Sequence, residues 1–490
     1  MNSRRGFGIE LLLVTVILLG GILTSCSTTN GDAQRKKQPA AALQEYSFKL
    51  INQVFPAGQD TTHIVIDLGT DIFNTSSTAS VDTFSVSTTN VLPRTITGGS
   101  DIVYDGPRKI TGIRVSRSGE WDETLNTWPA ALTDQEVAAG SLGRYIWLEL
   151  EYGQIPPGAN PVPGAGTLAY VELTGTPPMD GPTAWNYLLD LQYKVKQERQ
   201  LLLPNGKMLT GIYKKSTERG DNEVVAGEIN PLVNKFEAGR YTGTDPGNYL
   251  EYQLYRPSGA APNGGFPLVV WLHGSGERRT PFGVQNQNHL RANEEGVAWV
   301  KPENLRDFGP YWVLVPQSVT DGWTDEALIN VKAVIDSLTA AKNNINLNRI
   351  YVLGDSMGGR GMWDIITANP NLFAAAVGAP AATDISDVQV ELLKNVPIWL
   401  LNIDTDSQEG SLASYNKMKA AGGNIRWTHY NAVTDLPLNN YSQPHWVWIP
   451  TLQNVPKVGD AFYKAPPAGI TDTVGHSLWQ WLFAQRKTNP

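Results

Sequence analysis

A chain of 490 residues with a formal net charge of −8 is too long for one hydrophobic core, so we expect two or three domains. The acidic balance disfavours nucleic acid as a partner, because phosphate binding requires a basic face. The only cysteine is Cys26, which excludes disulfide bonds within the chain.

The N-terminus has the pattern of a secretion signal and is left out of the fold prediction. Two arginines precede an apolar run of about 13 residues, which is short for a membrane span of about 20. The run ends in Leu23-Thr-Ser-Cys26, which resembles the bacterial lipobox, where the cysteine is lipidated and becomes the new N-terminus. We therefore predict a lipoprotein signal peptide at residues 1–25 and a flexible tether at 26–45. A lipid on Cys26 would hold the exported protein on a bacterial membrane, at the cell surface or the periplasmic face.

From about residue 46 to 210 the chain shows the period-two alternation of β-strands, and we assign residues 46–228 to this domain. Ile64 and Ile66 share one face of a predicted strand, and His63 lies on the opposite, polar face, where we expect it to be solvated. Asn205-Gly206 between apolar runs indicates a type I′ hairpin. Short alternating strands with frequent turns predict a β-sandwich. No cluster of metal-ligating or catalytic residues appears here, so we expect this half not to contribute to the catalytic site.

After a polar, glycine-containing segment at 216–247, the pattern changes to alternating strands and helices. Residues 268–272 and 311–315 are continuous apolar runs, as expected for strands buried on both faces of a parallel sheet. Apolar residues recur at helical spacing between 327 and 338. Residues 235–490 therefore predict an α/β domain with a doubly wound, mostly parallel sheet, which binds ligands at the carboxyl ends of its strands.

The segment Gly354-Asp-Ser-Met-Gly358 follows the apolar run 350–353 and has the form G-x-S-x-G of a nucleophile elbow. Such an elbow holds its serine in a strained turn between a strand and a helix, where a side chain at either glycine would clash. We predict that Ser356 is the nucleophile; the alternative is a glycine-rich turn without a catalytic role. The helix that starts at Met357 points its N-terminus at the serine, so its first amide could stabilise an oxyanion.

A serine nucleophile needs a base, and in the α/β-hydrolase arrangement this histidine follows the serine and the acid in the chain. Three histidines come after Ser356. His429 lies in a strand-like run and His476 at the start of the last helix, whereas His445 lies in a loop after the last strand. The position favours His445 as the base, with His476 as the alternative.

The acid that orients this base should follow the predicted strand at 397–401. Asp404 and Asp406 are the candidates. Two carboxylates this close are costly to bury together, so one of them is expected to be solvated or to cap the next helix. The greater distance from the strand favours Asp406, and Asp404 is the alternative.

The predicted strand at 268–272 ends in His273-Gly-Ser-Gly-Glu-Arg-Arg279, which we name the oxyanion loop. Its glycines allow backbone amides to approach a developing negative charge. We predict that the backbone amides of Ser275 and Met357 form the oxyanion hole and that His273 holds the loop by hydrogen bonds. No elbow surrounds Ser275, which is therefore not a second nucleophile.

Two groups of residues could form the substrate pocket. Trp446 and Trp448 flank the predicted base and could line an acyl, aromatic or sugar-bearing pocket, or they could pack the loop. Glu277, Arg278 and Arg279 could meet the polar alcohol portion of a substrate.

Three stretches, 266–278, 348–359 and Trp363-Asp364, resemble bacterial α/β-hydrolase esterases of the polyhydroxybutyrate-depolymerase and feruloyl-esterase-like group, sometimes described as prolyl-oligopeptidase-like. Some members carry an N-terminal immunoglobulin-like domain, to which residues 46–228 are similar. The resemblance covers most of the chain from residue 46 onward.

The resemblance implies Ser356 as nucleophile, Asp406 as acid and His445 as base, and it implies residues 273–276 of the oxyanion loop as the oxyanion side. The chain departs from the family pattern around two of these residues. Before the acid it has Asn402-Ile403 instead of the usual His-Gly, and before the base it has Pro444 instead of glycine. The surroundings of the serine match.

Together these patterns predict a secreted, lipid-anchored serine carboxylesterase that forms an acyl-enzyme, with no cofactor and no metal. Its substrates would be small-molecule or polysaccharide-linked esters. One alternative is a prolyl-oligopeptidase-like serine peptidase; such enzymes normally carry a propeller domain, and no repeat of about 40 residues is present. Another is a non-catalytic surface-binding lipoprotein, which the complete Ser/Asp/His set disfavours.

Overall fold

The computed structural model describes residues 44–487, except residues 57, 70–78, 93–101, 154–164, 174–182, 204–205, 207, 216–226, 244–246, 281–282, 342, 404–405, 407–408, 431–444 and 454–476. The predicted signal peptide, Cys26 and the tether up to residue 43 lie outside the described residues, whereas Gln44 and Glu45, which were predicted to belong to the tether, are the first residues of a strand. From residue 43 onward the chain forms one compact unit. None of the helices in the described ranges is long and apolar enough to cross a membrane.

The N-terminal half is built from strands. In the described residues these are β1 (Gln44–Phe55), β2 (Gly58–Asp67), β3 (Phe84–Leu92), β4 (Ile102–Arg108), β5 (Ile110–Ser116), β6 (Tyr145–Leu150), β7 (Leu168–Leu173), β8 (Thr183–Leu188), β9 (Tyr193–Gln197), β10 (Leu201–Leu202), β11 (Met208–Leu209), β12 (Gly211–Lys215) and β13 (Glu228–Ile229), with one helix, α1 (Asp134–Ala138). Nine of the strands form a mostly antiparallel sheet in the order β4-β3-β9-β12-β1-β2-β6-β5, with β13 beside β1. The pairs β7-β8 and β10-β11 form two small sheets.

The predicted alternation gives this half a core of its own. Phe48, Ile64, Ile66 and Leu148 are at most 1% exposed and belong to one apolar cluster. Burying each of these side chains contributes about 1.5–3 kcal/mol relative to leaving it in water. The antiparallel pairing of β10 with β11 on either side of Gly206 confirms the predicted hairpin, while Asn205, on which the predicted type I′ turn depends, lies outside the described residues.

The prediction that His63 is solvated is wrong. Its side chain is 4% exposed and lies among the rings of Trp121, Trp128 and Trp147, at centroid distances of 5.3, 4.9 and 6.3 Å. Its Nδ1 is hydrogen-bonded to the hydroxyl of Thr62, and burial lowers the pKa of the imidazole to about 3. A layer of tryptophans from other segments covers the face of β2 that the alternation indicated as polar.

The C-terminal half alternates strands and helices. In the described residues the strands are β14 (Phe236–Thr242), β15 (Tyr249–Tyr255), β16 (Phe266–Leu272), β17 (Trp312–Gln317), β18 (Ile345–Gly354), β19 (Ala375–Gly378), β20 (Ile398–Ile403) and β21 (Ile425–Tyr430). The helices are α2 (Asn288–Arg291), α3 (Pro302–Phe308), α4 (Asp325–Ala340), α5 (Met357–Ala368), α6 (Asp387–Leu393), α7 (Glu409–Ala420), α8 (Trp448–Leu452) and α9 (Leu478–Ala484). The predicted helix at 327–338 is α4, where the side chain of Thr324 caps the N-terminus by accepting from the Ala327 amide.

The strands of this half form one eight-stranded sheet in the order β14-β15-β17-β16-β18-β19-β20-β21. The six strands from β17 to β21 in this order are parallel, and β15 is antiparallel to both of its neighbours. Every residue of β16 is buried, with Trp271 in the apolar cluster on one face and Leu272 in the cluster on the other. The predicted doubly wound, mostly parallel sheet is therefore confirmed.

The register of the central strands positions the candidate site. Leu272, the last residue of β16, pairs with Gly354, the last residue of β18. Because parallel strands end at the same edge of a sheet, the oxyanion loop and the G-x-S-x-G turn leave the sheet side by side.

Candidate active site

The turn at Ser356 has the geometry that the motif predicts. Ser356 has φ 50° and ψ −115°, a strained conformation for a residue with a side chain. An added Cβ on Gly354 would lie 2.2 Å from the carbonyl oxygen of Gly358, and one on Gly358 would lie 1.9 Å from that of Leu272. Both glycines are required because the backbones of strand, turn and helix meet there.

Three predicted residues form a chain of hydrogen bonds. The Nε2 of His445 lies 2.7 Å from the Oγ of Ser356, and its Nδ1 lies 2.8 Å from the Oδ2 of Asp406. An ionised Asp406 can only accept, so Nδ1 carries the proton and Nε2 is free to accept the serine proton. This is the tautomer that a general base requires.

The chain brings these residues together from three separate elements. Ser356 immediately precedes α5, Asp406 follows β20, and His445 precedes α8. The two alternatives, Asp404 and His476, lie outside the described residues.

The remaining histidine after the serine, His429, which comes first in the chain, is part of β21, where it pairs with Asn402 of β20. Its strand position agrees with the prediction that it lies in a strand rather than in the catalytic loop.

The tryptophans beside the base differ in exposure. Trp448 is 4% exposed and belongs to an apolar cluster of the sheet, and its ring meets the imidazole of His445 edge-on at 5.5 Å. Trp446 is half-buried and packs against the same cluster. Trp448 therefore supports the His445 loop by packing, while Trp446 keeps part of its surface in solvent.

His273 holds the oxyanion loop, as predicted. It is fully buried; its Nδ1 donates to the carbonyl of Gly274 at 2.7 Å, and its Nε2 accepts from the Ser318 amide at 2.9 Å. The indole of Trp323 donates to the His273 carbonyl at 3.0 Å. Burial lowers the pKa of His273 to about 3, so the ring is neutral and structural.

The two residues predicted to form the oxyanion hole lie at equivalent positions, each three residues after the end of one of two neighbouring strands. Ser275 is exposed and comes three residues after the end of β16, in a 3-10 turn, Ser275–Glu277. Met357 is half-buried, comes three residues after the end of β18, and is the first residue of α5. The pairing of Leu272 with Gly354 places both backbones at the same edge of the sheet.

The prediction that the charged residues after Gly276 meet the substrate is wrong for Glu277 and Arg278, because both side chains are only 3% exposed. Arg279 is exposed, and for this residue it stays a prediction. The Oε1 of Glu277 accepts from the Nδ2 of Asn186 at 2.6 Å. The guanidinium of Arg278 donates to the Ser275 carbonyl and lies 5.0 Å from the ring of Trp185. Both side chains therefore point into the protein and hold the oxyanion loop in place.

Asn186 and Trp185 belong to β8, so the N-terminal half supports the oxyanion loop directly. Sequence reasoning missed this role, and no local signal marks it, because Asn186 and Glu277 are 91 residues apart. The backbone of this strand is held in turn by Asn288, which donates to the Asn186 carbonyl at 2.7 Å.

We expect Asn186→Ala to lower the kcat of the enzyme about tenfold with little change in KM. The variant removes the hydrogen-bond donor to the buried carboxylate of Glu277, which ends the 3-10 turn of the oxyanion loop. A hydrogen bond to a charged group contributes about 1.5–3 kcal/mol. A loss of about 1.4 kcal/mol from the stabilisation of the transition state lowers the rate tenfold. Steady-state kinetics on a small ester measures the effect. Asn90→Ala is the matched control, since Asn90 is a buried asparagine of the same half that bonds to Thr88. An unchanged kcat in a folded Asn186→Ala protein would exclude this role.

Comparison with known proteins gives three findings. Residues 47–210 match the family described as the esterase Ig-like N-terminal domain. The crystal structure of a thermostable esterase is similar at a TM-score of 0.65 and 26% identity, over 90% of this chain and 100% of that one. An AB hydrolase superfamily protein of Schizosaccharomyces pombe is 32% identical over 109 residues, which are 22% of this chain and 29% of that protein. This chain thus spans less than a third of the curated relative that it matches.

These likenesses and the sheet topology confirm the predicted fold class. An immunoglobulin-like β-sandwich precedes a mostly parallel sheet flanked by helices, in the order of an α/β-hydrolase. The change from one sheet to the other falls between Ile229 and Phe236.

Proposed function

We propose that this protein hydrolyses carboxylic esters through an acyl-enzyme on Ser356; the match of residues 47–210 to the esterase Ig-like N-terminal domain and the similarity to a thermostable esterase support the proposal. The observation that carries the proposal is the hydrogen-bonded chain from Ser356 through His445 to Asp406. A serine in a strained turn, a histidine within hydrogen-bond reach of it and a carboxylate on the far side of the ring are the parts that acyl transfer requires.

In the first half of the proposed reaction, the Oγ of Ser356 attacks the ester carbonyl carbon while the Nε2 of His445 takes its proton. Asp406 stabilises the imidazolium that forms. The carbonyl oxygen becomes an oxyanion, which the backbone amides of Ser275 and Met357 stabilise by hydrogen bonds. His445 then returns the proton to the leaving alcohol.

In the second half, water replaces the alcohol. His445 takes a proton from that water, the hydroxide attacks the acyl carbon, and the acid leaves as Ser356 regains its proton. The backbone amides of Ser275 and Met357 stabilise the second oxyanion as they did the first.

We further propose that this enzyme works outside the cytoplasm, held to a bacterial membrane by a lipid on Cys26, on small-molecule or polysaccharide-linked esters. The lipobox-like end of the first segment supports the anchor, and the polar tether at 26–45 supports a catalytic unit that reaches away from the membrane. The net charge of −8 argues against nucleic acid as a partner.

A panel of p-nitrophenyl acyl esters against peptide p-nitroanilides tests the proposed reaction on the purified full-length protein. We expect hydrolysis of the esters, with a preference among acyl chain lengths, and no comparable hydrolysis of the anilides. Faster cleavage of the anilides would identify a serine peptidase instead.

Partitioning between detergent and water tests the proposed anchor. We expect the wild-type protein from a lipoprotein-processing host to enter the detergent phase, and Cys26→Ser to stay in the aqueous phase with the same ester activity per molecule. One acyl chain binds a membrane only marginally, so a stable anchor requires more than one chain. Identical partitioning of the two proteins would contradict the lipidation of Cys26.

A further inference from the structure

Three buried carboxylates meet between the oxyanion loop and the turn that carries the nucleophile. They belong to Glu277, Glu295 and Asp355, which are 3%, 0% and 1% exposed. One carboxylate oxygen from each lies within 4.8 Å of the other two, and in the described part of the chain this is the one such group of potential metal ligands. We name these three residues the carboxylate cluster.

The carboxylate cluster is short of hydrogen-bond donors. Both carboxylate oxygens of Asp355 and the Oε2 of Glu295 have no hydrogen-bond partner among the described residues. The indole N–H of Trp271 is near enough to both carboxylates to lower their pKa values by weak hydrogen bonding, but with neither does it meet the geometry of a full hydrogen bond. Buried polar atoms in native proteins are nearly always paired, so these oxygens require either protons or a bound cation as partners.

The charges indicate what that ligand is. Three ionised carboxylates carry a charge of about −3, and the cation that acts on Glu277 is the buried Arg278. The remaining charge of about −2 matches one divalent cation.

The distances between the carboxylate oxygens are compatible with calcium. Ca²⁺ binds oxygen at about 2.3–2.6 Å, which allows ligand oxygens up to about 5 Å apart. Mg²⁺ requires about 2.0–2.1 Å and therefore oxygens within about 4.2 Å, usually with several waters. The upper bound of 4.8 Å on the distances between the three oxygens lies inside the range that calcium spans.

We propose that Glu277, Glu295 and Asp355 bind one calcium ion that joins the oxyanion loop to the nucleophile turn. Glu277 ends the 3-10 turn that starts at Ser275, and Asp355 immediately precedes Ser356. The ion therefore sets the separation of the two backbones that hold the proposed oxyanion donors.

The packing around Gly274 shows how closely the oxyanion loop approaches the carboxylates. A Cβ on Gly274 would lie 2.5 Å from the Oδ2 of Asp355 and 3.4 Å from the Oε2 of Glu277. The loop backbone therefore lies directly against the carboxylates, and movement of one element is transmitted to the other.

Protons compete with the proposed ion for the three carboxylates. In the absence of an ion, burial raises the pKa of Glu277 to about 7 and the pKa values of Glu295 and Asp355 well above their usual range. Since the ion binds the ionised forms, its binding releases protons and is tighter above pH 7 than below it. We therefore choose pH 8 for the test.

The test uses the full-length protein in detergent, freed of metal with a chelator and titrated with CaCl₂ by calorimetry at pH 8. We expect one ion per chain, weaker binding of MgCl₂, and a rise of a few degrees in the unfolding midpoint at saturating CaCl₂. Glu295→Gln keeps the size of the side chain and should weaken calcium binding at least tenfold. Glu294→Gln is the matched control, because Glu294 is equally buried but pairs with Lys301 instead.

Two results would overturn the proposal. One is the absence of both binding heat and a midpoint shift when the wild-type protein receives CaCl₂; the carboxylate cluster would then be held by protons. The other is an equal loss of affinity in Glu294→Gln and Glu295→Gln. Should Glu295→Gln not fold, Asp355→Asn and the wild-type titration decide the question. None of these measurements uses ester hydrolysis, so they stand apart from the proposed function.

Discussion

Ser356→Ala is expected to reduce ester hydrolysis by at least about 10⁴-fold while the protein keeps its fold. The hydroxyl that would form the acyl-enzyme is removed, and only binding and oxyanion stabilisation remain, because the members of such a triad act as a unit. Turnover of a p-nitrophenyl ester and covalent labelling by a fluorophosphonate measure the loss, and circular dichroism checks the fold.

The matched control for this variant is Ser337→Ala, which removes an exposed hydroxyl on α4. It should keep both the turnover and the labelling of the wild type. Labelling that persists in Ser356→Ala would mean that another residue is the nucleophile.

His445→Ala is expected to lower kcat about as much as the loss of the serine. Its Nε2 lies 2.7 Å from the Ser356 hydroxyl, and without it the proton of that hydroxyl has no acceptor. Asp406→Asn should cost the same or less, since it leaves the imidazole in place but removes the acceptor at 2.8 Å that selects its tautomer. Single-turnover kinetics on an activated ester separates the two effects.

Two further variants distinguish the alternatives that the sequence left open. Asp404→Asn should change kcat very little, and His476→Ala should keep most of the activity. If His476→Ala were inactive and His445→Ala active, the terminal helix would carry the base and the hydrogen-bonded chain described above would not be the catalytic one.

Glu277 connects the two halves of the protein at the proposed active site. It accepts from Asn186 of the β-sandwich and belongs to the carboxylate cluster that borders Asp355. The sandwich and the proposed ion therefore act on the same turn of the oxyanion loop. The Asn186→Ala kinetics and the calcium titration of the wild type measure these two contributions independently.

Much of the protein follows from local sequence signals. The alternation of Ile64 and Ile66, the continuous run of β16 and the helical spacing in α4 each reflect burial on one or both faces of an element, so they predicted both folds. The turn around Ser356 was predictable because its glycines are required by backbone contacts only a few residues away.

The environment of each side chain was decided by the tertiary structure. His63 has the position of a surface residue in its strand, yet tryptophans from other segments bury it. Glu277 and Arg278 look like exposed charges after a loop, yet they are enclosed by β8 and by the turn before Ser356. A period of two or 3.6 residues reports which face of an element is apolar and carries no information about what covers the other face.

The sequence by itself determined the two domains, the nucleophile turn and a short set of partners for it. Only the tertiary structure decided that His445 and Asp406 reach Ser356, that Asn186 supports the oxyanion loop, and that three carboxylates share one buried place. The physical reason is that these contacts join residues far apart in the chain. Their distances depend on strand register and on the packing of two sheets, which no local pattern of residues specifies.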